Sequence, residues 1–352
     1  RCRKWRNWLY FRTVGQQCTW TGVVNAGAEV EALYWKEVSQ HQLVAESEAE
    51  RVLAVTKLLA AERPNAALEF VANYIDRTSG QALVPEEVLV SILEHARSSN
   101  PETEGPYVQL NMLAYDIQNV FIALSKSDID VAKLAGLEWA YLAVFEHGQY
   151  QPRALYRVLE ENPALFAEII EFVYRAEDDE EPSEHPSEAA IARARQGDRL
   201  LHSFKVIPGT SSAGRIDPEK LRSWIEAVRT LSAAKRRAKV ADEIIGQILA
   251  HAPSESDGAW PTIPVRDVIE TVESPYLEEG LEIGIYNKRG VVSRGYAEGG
   301  QQERALAQQY RDWARKTAGS WPQLATVLRR VAESYEREAQ REDAEAEARL
   351  DR

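Results

Sequence analysis

Proline recurs at the head of apolar stripes that repeat every three to four residues, and this pattern leaves little room for anything but helices. Proline fits the first turn of an α-helix, where its missing N–H would have had no partner, and its fixed φ starts the helix. Pro64 precedes Ala67, Leu68, Val71 and Ile75, one face of a 3.6-residue helix. Just upstream, Val52, Val55, Leu58 and Leu59 make a matching stripe over 48–62. Two such helices joined by a very short turn describe an antiparallel αα-hairpin.

The same design repeats. Pro85 opens a stripe of Val88, Leu89, Ile92 and Leu93, and residues 112–124 place Leu113, Ile117, Val120, Phe121 and Leu124 on one face. Residues 129–145 carry Leu134, Leu137, Tyr141, Val144 and Phe145; Pro152 and Pro163 open two further helices. Alanines follow Pro64 and Pro152 at positions where two backbones can approach closely. The correspondence is too loose for a named array such as the ~34-residue tetratricopeptide repeat. Short β-branched runs at Val206-Ile207 and Val291-Val292 lack alternation and sit among glycine and proline, so no strand is predicted. The expected fold is all-α: stacked antiparallel helical hairpins, an irregular α-solenoid, in two blocks.

The blocks are divided at 177–188, EDDEEPSEHPSE, where acidic repulsion and two prolines leave almost nothing apolar to offset ordering entropy. The expected organisation is a basic and aromatic N-terminal segment (1–27), a helical-hairpin block (28–176), the acidic linker (177–188) and a second helical block (189–352). In the second block Pro218 begins a helix with Leu221, Trp224, Ile225, Val228 and Leu231 that is expected to run through the basic 235–239 stretch to Ala250. A loop with Trp260-Pro261 follows, then helices over 265–272 and 277–286, a glycine-rich loop over 287–300, and helices over 301–317 and from Pro322 onward. The tail from Glu336 is nearly all charged and reads as solvated or frayed.

With 352 residues, 44% of them hydrophobic, the chain can bury a sizeable core, and it exceeds the ~250–300 residues at which single cores stop growing. Asp and Glu number 55 against 42 Lys and Arg, a net charge of −13, which opposes non-specific association with phosphate backbones. The two cysteines, Cys2 and Cys18, cannot make a disulfide framework or a four-cysteine metal site, and fit a reducing cytoplasm. No stretch approaches the ~18 apolar residues of a membrane span, and none follows the basic first residues as in a signal peptide. Beginning at Arg1 and holding a single methionine, Met112, the chain reads as a piece of a longer polypeptide.

No residues assemble into a catalytic, cofactor or metal motif. The six histidines lack His or Cys partners at helical spacing, no G-x-x-x-x-G-K-[ST] or G-x-S-x-G is present, and Trp139, Trp224, Trp260, Trp313 and Trp321 fall in or beside helical stripes, where core packing explains them. The basic residues are more suggestive. Lys288, Arg289 and Arg294 sit among Gly290, Gly295, Gly299 and Gly300, just before a helix whose free N–H groups favour anions. Lys235, Arg236 and Arg237 form a second cluster, and Arg1, Arg3, Lys4, Arg6 and Arg12, interleaved with Trp5, Trp8, Tyr10 and Phe11, a third.

Residues 136–177 (GLEWAYLAVFEHGQYQPRALYRVLEENPALFAEIIEFVYRAE), 287–314 (NKRGVVSRGYAEGGQQERALAQQYRDWA) and 321–343 (WPQLATVLRRVAESYEREAQRED) resemble the C-terminal helical-repeat region of large, mostly uncharacterised bacterial multidomain proteins, some of them defence-associated. The resemblance implies a position, the C-terminal arm of a longer chain with an effector or ATPase module upstream, and carries over no functional residue. The leading expectation is a non-catalytic cytoplasmic scaffold or recognition arm, needing no cofactor, that contacts a protein partner or an upstream domain. A second is nucleic-acid or anion sensing, which requires two of the basic clusters on one side of the fold. A third is a helical enzyme whose pocket collects His202, Asp198, Arg199 or Glu303.

Overall fold

The computed structural model describes residues 27–77, 83–105, 108–146, 148–177, 186–296 and 298–350. The basic N-terminal segment, both cysteines, His147, His185 and most of the acidic linker lie outside them. Among the described residues the fold is fifteen α-helices and no strand; the β-pairing present is an isolated bridge between Thr210 and Ile216. None of these helices is long and apolar enough to cross a membrane. The chain forms two compact units, Arg1–Val158 and Leu159–Arg352.

In the first unit, α1 (Ala28–Glu37), α2 (Glu48–Ala60), α3 (Pro64–Arg77), α4 (Glu86–Ala96), α5 (Leu113–Leu124) and α6 (Val131–Phe145) surround a core centred on α3. Ala66, Ala67, Leu68, Phe70, Val71, Ala72 and Ile75 are all buried, so α3 is enclosed on more than the single stripe its apolar spacing describes. The α2–α3 hairpin turns at Glu62, held at a φ of 60°, a left-handed conformation uncommon outside glycine. At the other end of the unit Phe121, Tyr141, Phe145 and Tyr150 pack ring against ring at 4.9–5.5 Å.

Three of the proline-led helices lack a capping side chain of their own, because Arg63, Pro152 and Trp321 stand where Ser, Thr, Asp or Asn would accept from the first turn. Carboxylates distant in sequence do that work. Glu104 accepts from the Asn65 and Ala66 amides of α3 at 2.9 and 3.1 Å, across 39 and 38 residues. Glu138, fully buried, accepts from the Leu155 amide at 2.6 Å in α7 (Arg153–Glu161) and from the Tyr150 hydroxyl at 2.5 Å. Glu270 accepts from the Gln323 amide at the head of the last helix at 3.1 Å.

The second unit contains α8 (Pro163–Val173), α9 (Glu188–Ser203), α10 (Pro218–Ala234), α11 (Ala238–Leu249), α12 (Ile263–Val272), α13 (Pro275–Arg289), α14 (Gln301–Thr317) and α15 (Pro322–Leu350). Its boundary falls upstream of the acidic stretch, because Phe166 of α8 packs on Trp224 and Phe204 at 4.8 and 5.7 Å. Helices α11 and α13 run parallel in close contact: Gly280 lies on the Glu243 backbone, Gly284 on Gln247, and Gly246 on Leu277. Gly280 and Gly284, four apart on α13, and Gly246 on α11 let the backbones meet. Helices α14 and α15 form a long antiparallel hairpin, with Gly300 against Ala339 at one end and Arg311 paired to Glu336 at 2.7 Å further along.

Three features of this unit correct the sequence reading. The helix from Pro218 stops at Ala234 rather than running to Ala250; Arg236 takes a φ of 56°, and α11 starts anew at Ala238. Glu177 holds the break, donating its amide to the Arg236 carbonyl at 2.8 Å and accepting from the Lys239 amide at 3.0 Å. Residues 287–289, expected in a loop, are the last turn of α13, which ends at Gly290 with a φ of 66°. The charged tail from Glu336 is neither solvated throughout nor frayed: α15 continues to Leu350 with Ala339 and Ala346 buried.

Candidate functional site

The most elaborate constellation lies where the end of α13 and the segment after it meet the α14–α15 hairpin. Arg289 and Arg294 both donate to Oε1 of Glu303, whose side chain in the first turn of α14 is fully buried. Each guanidinium also faces α15, Arg289 towards Glu338 and Arg294 towards Glu342, both at 3.4 Å. Two cations thus meet three carboxylates. Burial pushes the Glu303 carboxyl up, but the two guanidinium hydrogen bonds outweigh it, and its pKa lies below the usual carboxylate range. The Arg294 pKa is raised, chiefly by its hydrogen bond to Glu303.

An aromatic column stands beside this network. Tyr335 stacks between Tyr286 and Tyr310, at 5.2 and 5.7 Å, with Arg289 over its ring at 5.4 Å. Tyr310 and Trp313, one turn apart on α14, reach Trp260 in the loop before α12 at 6.4 and 5.8 Å. Burial pushes the Tyr335 phenol up to about 12 and moves Tyr310 in the same direction, so both stay protonated. A pocket of about 260 Å³ opens among Trp260, Lys288, Tyr310, Trp313 and Tyr335. An open cleft of about 1020 Å³ lies along α14, lined by Arg289, Gln302, Ala305, Leu306, Gln309 and Trp313.

The basic residues singled out in the sequence are placed as follows. Arg289 and Arg294 come together on one buried carboxylate, an intramolecular use of their charge. Lys288 reaches the Ala250 carbonyl at 3.4 Å and the Trp260 ring at 6.0 Å. Lys235 pairs with Glu171 at 3.1 Å, Arg237 donates to the Tyr174 carbonyl at 2.8 Å, and the Arg236 carbonyl is held by Glu177. Lys239 pairs with Glu177 at 3.3 Å and lies over Tyr276. Asp198 and His202 lie 3.2 Å apart on the exposed face of α9, and neither they, Arg199 nor Glu303 lines either cavity. Among the described residues no three His, Cys, Asp or Glu side chains group to hold a metal ion.

No family model, curated protein or solved structure matches this chain. The site therefore rests on its own geometry. Trp260, Trp313 and Tyr335 lay in or beside helical stripes and read as core; the available signal was Tyr310 and Trp313 at i and i+3 on one face, with Leu306 a turn earlier.

Proposed function

We propose that this chain is a non-catalytic helical scaffold or recognition arm, the C-terminal part of a larger bacterial cytoplasmic polypeptide, which holds a protein partner or an upstream domain. The observation that carries this reading is the open cleft along α14. Ala305, Leu306 and Trp313 supply apolar contact and Gln309 an amide, with Asp312, Arg315 and Lys316 also lining it. A wide, solvent-open groove of this make-up suits a helix or extended segment of another protein better than an engulfed metabolite.

The state of the basic residues favours this reading over nucleic-acid sensing. Phosphates would have to displace Glu303, Glu338 and Glu342 from Arg289 and Arg294, and Glu171 from Lys235. A photo-reactive residue placed at Gln309 of the full-length polypeptide tests the proposal in cells. Protein adducts that vanish when Leu306→Glu is added support it. Adducts with nucleic acid, or protein adducts indifferent to Leu306→Glu, overturn it.

A further inference from the structure

We propose that the pocket beneath Lys288 binds a small planar anion, an aromatic or heteroaromatic ring bearing a phosphate or carboxylate. The walls are rings: Trp260, Tyr310, Trp313 and Tyr335, with Ala250, Ala252 and Ile285 completing an apolar floor. At about 260 Å³ the space lies just under the roughly 300–1,000 Å³ of sites that enclose drug-sized ligands, so it admits one single or fused ring. Tyr335 is already stacked on both faces by Tyr286 and Tyr310, so an entering ring stacks on the half-exposed members of the wall, Trp313 and Tyr310.

The charge at the mouth selects the ligand's sign. Lys288 has no carboxylate within ion-pair distance among the described residues, only the Ala250 carbonyl at 3.4 Å. Most neighbouring cations differ: Arg289, Arg294, Arg304, Arg311 and Arg330 are each matched by Glu or Asp, while Lys316, like Lys288, rests on a backbone carbonyl. A cationic ligand is disfavoured twice over. Lys288 and Arg289 would repel it, and the rings that would receive it already face cations, Trp260 facing Lys288 at 6.0 Å and Tyr335 facing Arg289 at 5.4 Å. An anion seated against Lys288 supplies the missing countercharge, and the exposed Ser254 also lines the pocket. The neighbouring His251 agrees: burial first, then the charges of Lys205 and Lys288, lowers its pKa to about 4.

Calorimetric titration and ligand-observed NMR on the full chain test this. Adenosine 5′-monophosphate and indole-3-acetate serve as ring-bearing anions, adenosine and inorganic phosphate as the separate halves, and trimethylphenylammonium as a ring-bearing cation. At least one ring-bearing anion is expected to bind about tenfold or more tightly than its halves or the cation, and Lys288→Gln should weaken it about tenfold. Preference for the nucleotide identifies a phosphate source, preference for the indole a carboxylate source. Ser254→Trp, a change at an exposed rim position, should close the mouth and give the same loss without disturbing the core, guarding against a misfolded Lys288 variant. The proposal is overturned if neither anion outbinds the neutral or cationic probes, or if folded Lys288→Gln and Ser254→Trp proteins bind as the parent does.

Discussion

Replacing Gly280 by alanine should destabilise the second unit, although the same change stabilises most helices. A Cβ on Gly280 would lie 1.9 Å from the Glu243 carbonyl oxygen, whereas close C–H···O contacts sit at roughly 3.3 Å, so α11 and α13 must part by about 1.4 Å. A gap of that size would forfeit half or more of each dispersion contact across it, so the two helices must repack around the added methyl. Leu277, Leu281, Ile285, Ile244, Ile245 and Ile248 are buried on these two helices. Repacking them costs up to about 3 kcal/mol, the upper end of the usual overpacking range. Alanine's better helix propensity returns about 1 kcal/mol, leaving a net loss of about 2 kcal/mol. For a unit of this size that lowers the melting transition by roughly 4–8 °C. Differential scanning calorimetry reads it, with Gly136→Ala as the matched control: Gly136 sits inside α6 with nothing within 4 Å of its would-be Cβ. The control should gain up to about 1 kcal/mol for the first unit. An unchanged or raised transition in Gly280→Ala would refute the backbone-contact reasoning.

Other perturbations reach the polar framework. Glu303→Ala leaves Arg289 and Arg294 without their shared buried partner and should cost about 3–5 kcal/mol in urea unfolding; an unmoved midpoint would mean that Glu338 and Glu342 suffice. Glu104→Ala removes the acceptor from the first turn of α3 and should cost about 1–2 kcal/mol, with hydrogen exchange accelerated at Asn65 and Ala66; protection equal to the parent's would dismiss the capping role. The hydrogen bond from Arg266 holds the Asp257 carboxyl down at about 2, below its ordinary value near 3.9, so its stabilisation is complete above about pH 4 and is lost as pH falls towards 2. In Asp257→Asn that part of the acid slope should be missing from melting curves taken between pH 5 and 2, and an identical slope would contradict the assignment.

Much of this architecture was legible along the chain because it is local. A proline at a helix start and apolar residues at i, i+3 and i+4 are short-range properties, and they located α2, α3, α8, α10 and α15 near their observed starts. The all-helical class follows from the same signals. Where charge replaced hydrophobicity the reading failed. The 235–239 run carries no local stop, and its break depends on Glu177, distant in sequence and brought in by the packing of α8. The tail beyond Glu336 looks solvated by composition, yet Ala339 packs against Gly300 and Ala346 is buried, and small side chains carry little hydropathy. The fate of the basic residues was likewise undecidable from spacing. Whether Arg289 and Arg294 serve a ligand or Glu303 depends on which carboxylates the fold brings within 4 Å, and Glu338 and Glu342 arrive from another helix. Helix positions are written in the first turn by proline and periodicity. Caps, ion pairs and cavities are set by groups tens of residues apart, because only packing turns sequence separation into distance.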